Sequence, residues 1–165
     1  GESVFSPYIR SYFNLTNYMV VSPDVGGAKR AKKFASSLNL PLAIINKERE
    51  IANEVSSMEL IGDVSGKDVI IVDDMVDTAG SLCKAVDNLL ENGANSVSAF
   101  ITHGVLSGPA LDRINNSKIV QLYVSDSINV RGNDKITVIS TSRVFEKTLN
   151  IIKKKQSVNG FLEVS

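Results

Sequence analysis

The stretch that most constrains the fold is Val-Ile-Ile-Val-Asp-Asp-Met-Val-Asp-Thr-Ala-Gly-Ser, residues 69–81. Val69 to Val72 is a continuous apolar run rich in β-branched residues. It is too short for a helix and suits a strand buried on both faces of a parallel sheet. Asp73 and Asp74 end the run, which puts two carboxylates at the carboxyl end of a central strand. That edge is where open α/β sheets bind their ligands. Asp77, Thr78, Ala79, Gly80 and Ser81 then form a loop of small residues that opens a helix. Leu82, Ala85, Val86, Leu89 and Leu90 recur at helical spacing as its apolar face, and Gly93 stops it.

Such a loop admits an anion, because no bulky side chain keeps it from the backbone N–H groups. Those groups, the helix dipole and the hydroxyls of Thr78 and Ser81 together make a phosphate cradle. Carboxylates facing a phosphate would repel it. Asp73 and Asp74 therefore make sense as acceptors for sugar hydroxyls, or as ligands of a Mg²⁺ that accompanies phosphates. The residues point to a sugar-phosphate site. The plainer alternative is a strand end with solvated aspartates and a capped helix.

With 165 residues, the chain reads as one domain, large enough to bury a proper core. Apolar residues make up 43% and charged residues 22%, which excludes a disordered chain. Eighteen basic and eighteen acidic residues cancel, so charge gives no case for nucleic acid or a membrane surface. The single cysteine, Cys83, cannot form an internal disulfide and fits a reducing compartment. No apolar run reaches transmembrane length and no signal-peptide pattern opens the chain. The start at Gly1 without Met points to a processed chain or an excised piece. The expectation is a soluble, cytoplasmic protein.

Taken in order, residues 1–17 carry Tyr8, Ile9, Tyr12 and Phe13 at helical spacing. Tyr18 to Val21 is a strand that runs into Ser22-Pro23-Asp24-Val25-Gly26-Gly27. A helix follows with Ala31, Phe34, Ala35 and Leu38 on its buried face. Gly26 and Gly27 permit positive φ and close backbone approach, which suits a nest for phosphate oxygens. Asp24 is then placed either to carry Mg²⁺ or to cap a tight turn. Leu42 to Ile45 is the next strand, followed by the charged stretch 46–54. A solvated loop is the common fate of such a stretch, yet Lys47 and Arg49 lie just beyond a strand's carboxyl end. Two cations there can stabilise charge on a transferring phosphoryl group.

Val55 to Ile61 reads as an edge pairing, and 65–68 as a turn. Ser96 to Thr102 reads as a buried strand, and the residues after Pro109 as a short helix. His103, the sole histidine, reads as structural rather than catalytic. Strands at Ile119–Val124 and Ile136–Ile139 precede a final helix over 143–155, expected to bury Val144, Phe145, Leu149 and Ile152. The whole is an α/β fold, a mostly parallel sheet with helices on both faces.

Residues 69–81 resemble the ribose-5-phosphate signature of the type I phosphoribosyltransferase superfamily. The segment Ser22-Pro23-Asp24-Val25-Gly26-Gly27-Ala28-Lys29-Arg30-Ala31 resembles the pyrophosphate loop of its ribose-phosphate pyrophosphokinase (phosphoribosyl pyrophosphate synthetase) branch. Thr102 to Ile114 also matches that branch. The resemblance implies a transfer of the pyrophosphoryl group of ATP to O1 of ribose 5-phosphate, giving phosphoribosyl pyrophosphate and AMP. It implies that Asp73, Asp74 and residues 77–81 hold the sugar phosphate, that Asp24 in the 24–27 loop ligates Mg²⁺, and that Lys47 and Arg49 close over the ATP phosphates. Asp77 is the candidate base for O1. Ser81 stands where Thr is usual and Ala79 where Cys is frequent, both keeping the loop small. The tail around 156–161 resembles, more loosely, a segment lining a regulatory phosphate or ADP site.

The resemblance covers nearly the whole chain but only the C-terminal half of the family's two-domain architecture. It implies homo-oligomers, dimers built into hexamers, and a chain inactive without its N-terminal half. Three other readings compete. One is a non-catalytic regulatory subunit related to the synthetases. Another is a receiver-type domain with Asp126 as phospho-acceptor and Thr141 as switch hydroxyl, which leaves residues 1–66 and 77–81 unexplained. The last is an ordinary phosphoribosyltransferase, against which segments 22–31 and 102–114 argue.

Overall fold

The computed structural model describes residues 1–47 and 58–154, and for Lys47 the main chain alone. Helix α1 (Glu2–Tyr12) and a short 3-10 turn (Leu15–Asn17) lead into strand β1 (Tyr18–Ser22). Then follow α2 (Ala28–Leu38), β2 (Leu42–Lys47), β3 (Met58–Ile61), β4 (Asp68–Val76) and α3 (Gly80–Glu91). The chain continues through β5 (Ser96–Gly104), α4 (Ala110–Asn116), β6 (Gln121–Ser125), β7 (Ile136–Ile139) and α5 (Ser142–Lys153). The seven strands form one sheet in the order β3-β2-β1-β4-β5-β6-β7, parallel throughout except for the antiparallel edge pair β2–β3. This is the mostly parallel α/β sheet that the sequence predicts.

Strand alternation explains why β4 is apolar without a break. Val69 and Ile71 enter the cluster formed with Leu82, Ala85, Val86 and Leu89 of α3 and with Ala110 and Ile114 of α4. Ile70 and Val72 point the other way, into Phe5 and Ile9 of α1 and Ala31, Phe34 and Ala35 of α2. All four are buried. On the second face, Phe100 of β5 stacks on its register partner Tyr123 of β6, with ring centroids 4.2 Å apart. Phe5 and Phe13 meet Phe100 edge-on at 5.5 and 5.8 Å.

Several boundaries move. β4 and β5 run on past the predicted run ends, because pairing continues through Asp73↔Ile101 and Met75↔His103 to Val76↔Gly104. Asp73 and Asp74 therefore lie near the carboxyl end of β4, as expected, with Met75 and Val76 continuing the strand beyond them. Gly26 and Gly27 are absent from the positive-φ residues, and Gly27 has φ −80°. Their use is close approach alone: a Cβ on Gly27 would lie 2.9 Å from Ser22 Oγ, and one on Gly26 3.3 Å from Asp24 Oδ1.

The final helix corrects an expectation of burial. Phe145, Leu149 and Ile152 are 65%, 56% and 56% exposed, and only Val144 of the predicted set is half-buried. The helix follows the edge strand β7 and packs chiefly on one neighbour, α1, which leaves those three side chains exposed among the described residues. The start of α5 is held instead by Asp126, whose carboxylate accepts from Thr141 N (2.9 Å), Thr141 Oγ1 (2.7 Å) and Ser140 Oγ (2.8 Å). These donors, Thr141 first, hold the Asp126 carboxyl below its ordinary value of 3.8.

Two outcomes follow for stability. Phe100→Ala removes the ring at the centre of the aromatic stack and is expected to cost about 3–5 kcal/mol in denaturant unfolding, with a loss under about 1 kcal/mol refuting that role. Asp126 contributes stability that is complete above its unfolded-state value and is lost as pH falls through its depressed folded value. In thermal melts, Asp126→Asn should be less stable than the parent near pH 7, and the gap should close below the ordinary Asp value of 3.8.

Candidate functional site

The sheet order creates a place for a ligand. From β1 the chain crosses by α2 on one face to β2, and from β4 it crosses by α3 on the other face to β5. The connections part company between β1 and β4, which is the switch point at which open α/β sheets leave a crevice. β1 pairs with β4 only as far as Val21↔Ile71, whereas β5 follows β4 to Val76. The last residues of β4 thus have one open edge, and the loop after β1 lies beside it. A cavity of about 170 Å³ opens there, lined by Pro23 and Asp24 from the first loop, Asp73 and Met75 from β4, and residues 76–82.

Each loop is shaped by its own small residues. In the first, Ser22 Oγ donates to Asp24 O (2.7 Å) and Gly27 N donates to Asp24 Oδ1 (2.7 Å). One oxygen of Asp24 is therefore spent on the turn, as a capping aspartate would be, while the side chain still lines the cavity. In the second, Ala79 takes a left-handed conformation (φ 59°) at the N-cap of α3 and brings no side-chain cap. That backbone costs a non-glycine residue roughly 1–2 kcal/mol. It is tolerated with the methyl packed in the core, and Gly80, Ser81 and Leu82 of the first helical turn line the cavity. First-turn N–H groups have no partners within a helix and carry its positive dipole end.

The acidic pair lies together at the open edge of β4. Asp73 lines the cavity, and Asp74 stands beside it without lining it. A residue not singled out from the sequence joins them. Arg30, in the first turn of α2, places Nη1 2.8 Å from Asp73 Oδ1 and Nη2 2.6 Å from Asp74 Oδ2. Burial, with the carboxylates of Asp74 and Asp24 nearby, still pushes the Asp73 carboxyl above its ordinary value. Arg30 sits within a segment quoted for its resemblance, but its partners are 43 and 44 residues away, beyond the reach of local spacing.

Two more residues from beyond β5 support the second loop. Ser107 Oγ donates a short hydrogen bond to Asp77 Oδ1. Arg113 Nη1 donates to Thr78 O (3.0 Å) and lies where a side chain on Gly80 would stand, 3.1 Å from its Cβ position. The match of 102–114 thus acquires a physical content: this segment backs the 77–81 loop and sets a guanidinium behind it. His103 Nδ1 lies 2.9 Å from Ser127 Oγ, and Ser125 and Ser127 both donate to Thr102 O, so the histidine belongs to a hydroxyl network joining β5 to the turn after β6. The main chain of Lys47 ends β2; Arg49 and the tail 156–161 lie outside the described residues.

Among the described residues, no group of three or more His, Cys, Asp or Glu converges as an all-protein metal cage. A single carboxylate with a spare oxygen can hold a Mg²⁺ whose other ligands are phosphates and waters. Asp24 has that spare oxygen at the cavity wall.

Comparison with known proteins identifies the family and agrees with the fold. Residues 3–132 match the model of the phosphoribosyl transferase domain. The chain is 48% identical to a ribose-phosphate pyrophosphokinase of Helicobacter hepaticus over 97% of its own length and 52% of that protein. It is 46% identical to one of Cereibacter sphaeroides, over 97% of its length and 49% of the relative. Among solved structures it superposes on phosphoribosylpyrophosphate synthetase from Mycobacterium smegmatis with a TM-score of 0.82 and 34% identity, covering 93% of this chain and 51% of that one. The chain thus spans about half the length of the relatives it matches. The match leaves the receiver-type reading unsupported, and the Asp126–Thr141 pair it relied on is the clasp of α5.

The close fit at Gly27 yields an outcome. Gly27→Ala should displace the fully buried Ser22 hydroxyl and destabilise the chain by about 1–3 kcal/mol. Adding Ser22→Ala should restore part of that loss, so that the double variant is more stable than the sum of the singles in denaturant unfolding. Strict additivity would show that the glycine is there for another reason.

Proposed function

Because the chain belongs to the phosphoribosyl transferase domain family, we propose that it is the ribose-5-phosphate-binding half of a ribose-phosphate diphosphokinase. The whole enzyme transfers the β,γ-pyrophosphoryl group of ATP to O1 of ribose 5-phosphate and releases phosphoribosyl pyrophosphate and AMP. The observation that carries the reading is the switch-point cavity, where the Asp24 loop, Asp73 and residues 77–81 meet. Such a transfer needs an anion cradle, acceptors for sugar hydroxyls and a second anion site in line with the sugar.

The 5-phosphate sits on the Thr78–Ser81 loop, drawn by the α3 dipole and by Arg113 behind it. Asp73 and Asp74 accept from ribose hydroxyls, each with the oxygen that Arg30 leaves free. The Asp24–Gly27 loop takes the pyrophosphate, and Asp24 holds Mg²⁺, which supplies charge neutralisation between the phosphates. Asp77, oriented by Ser107, accepts the proton of O1. Lys47 and Arg49 stabilise the charge on the transferring group. The adenine contacts come from the half of the relatives that this chain does not span, so the chain alone binds without turning over. The protein works in the cytoplasm, in nucleotide biosynthesis, as a homo-oligomer of hexameric type.

Calorimetric titration with ribose 5-phosphate and Mg²⁺ tests the reading. Saturable binding is expected, absent for unphosphorylated ribose and weakened at least about tenfold in Asp73→Ala, since each charged hydrogen bond contributes about 1.5–3 kcal/mol. Equal binding of ribose and ribose 5-phosphate, or an unaffected Asp73→Ala, would overturn the assignment.

A further inference from the structure

Arg30 enters the reading above only as a partner of the two acids, yet it makes the two shortest ion pairs among the described residues, at 2.6 and 2.8 Å. Its position is peculiar in a useful way. It stands on the first turn of α2, three residues after Gly27, so its main chain continues directly from the 24–27 loop. Its guanidinium reaches across to the acids of β4, giving Nη1 to Asp73 and Nη2 to Asp74. A planar fork of donors meets both carboxylates in one fixed geometry; an ammonium is a compact point charge with rotatable donors and lacks that fork. The grip uses one oxygen of each acid, Asp73 Oδ1 and Asp74 Oδ2. Asp73 Oδ1 also accepts from Asp74 N at 2.8 Å, which fixes its rotamer.

Without a cation, two adjacent carboxylates beside Asp24 would repel one another and any phosphate brought near. Neutralising one of those charges favours anions in both loops. Holding the carboxylates in a fixed orientation favours the sugar. Both effects depend on where α2 begins, and the conformation of the 24–27 loop decides that. We propose that Arg30 is a positioning residue that ties the 24–27 loop to the Asp73–Asp74 pair, so that filling one subsite raises the affinity of the other. It touches neither ligand and acts through the two acids. The inference rests on the sugar-phosphate reading of this cavity and adds to it a coupling between its two anion sites.

The test is a set of calorimetric titrations of the chain with ribose 5-phosphate, with and without saturating Mg²⁺–methylenediphosphonate as a non-reacting pyrophosphate probe. The same set is run on Arg30→Lys and Arg30→Gln, whose folding is checked by thermal melts. In the parent, the probe should tighten ribose 5-phosphate binding by at least about fivefold, the lower end of ordinary site–site coupling. In both variants, the tightening should fall below about twofold while saturable binding of each ligand separately persists. The lysine variant makes the result specific. If Arg30 merely attracted anions, lysine would keep the full coupling, and that outcome overturns the proposal. Unchanged coupling in folded Arg30→Gln, or no coupling in a parent that binds both ligands, overturns it equally. A parent that binds no ribose 5-phosphate at all removes the reading of the cavity itself, and the coupling with it.

Discussion

The structure depends on one strand being buried on both faces. β4 lies at the middle of the sheet, flanked in parallel by β1 and β5, and its side chains feed two separate apolar clusters. A strand so placed must have helices above and below, and parallel neighbours reached by crossovers. Because α2 covers one face and α3 the other, the connections leaving β1 and β4 diverge. The crevice between them is a by-product of layering, not of any ligand-binding residue. The site occupies a gap that the packing requirement had already opened.

Electrostatics then decides what that gap can hold. Three aspartates, 24, 73 and 74, gather where phosphates are proposed to bind, an arrangement that looks hostile to anions. Its balance comes from groups of opposite sign arriving from three elements: the N-terminal end of α3, Arg113 of α4 behind the 77–81 loop, and Arg30 of α2 across the acid pair. Asp73 pays for its place, since burial, with two other carboxylates beside it, raises its pKa above the ordinary value even with a guanidinium attached. A perturbed carboxyl that lines a cleft marks a candidate binding group.

Much of this was legible along the chain because the signals are local. The β-branched run at 69–72, the helical spacing of Leu82, Ala85, Val86 and Leu89, and the small residues at 77–81 each act within a few residues. The strand and helix they indicate are both present. The pairing of Phe100 with Tyr123 could not be read this way, since register between non-adjacent segments carries no local mark. The burial of α5 was misjudged for a related reason. Its periodicity states that one face is apolar, but whether anything covers that face depends on which elements pack there, and α5 follows the edge strand with α1 as its chief neighbour. Gly26 and Gly27 show a subtler limit. The residue type allows either positive φ or close approach, and only the positions of Ser22 Oγ and Asp24 Oδ1 select the second.

The sequence by itself determined the class of fold, the two loops of small residues, and the acids that accompany them, because hydrophobic period and turn chemistry are properties of short segments. The tertiary structure alone decided that the Asp24 loop and residues 77–81 share one cavity, since strand order, not proximity along the chain, brings β1 beside β4. It also decided that Arg30 reaches both Asp73 and Asp74 at the open edge of β4. Local spacing cannot show that contact, because the guanidinium comes from 43 and 44 residues earlier in the chain.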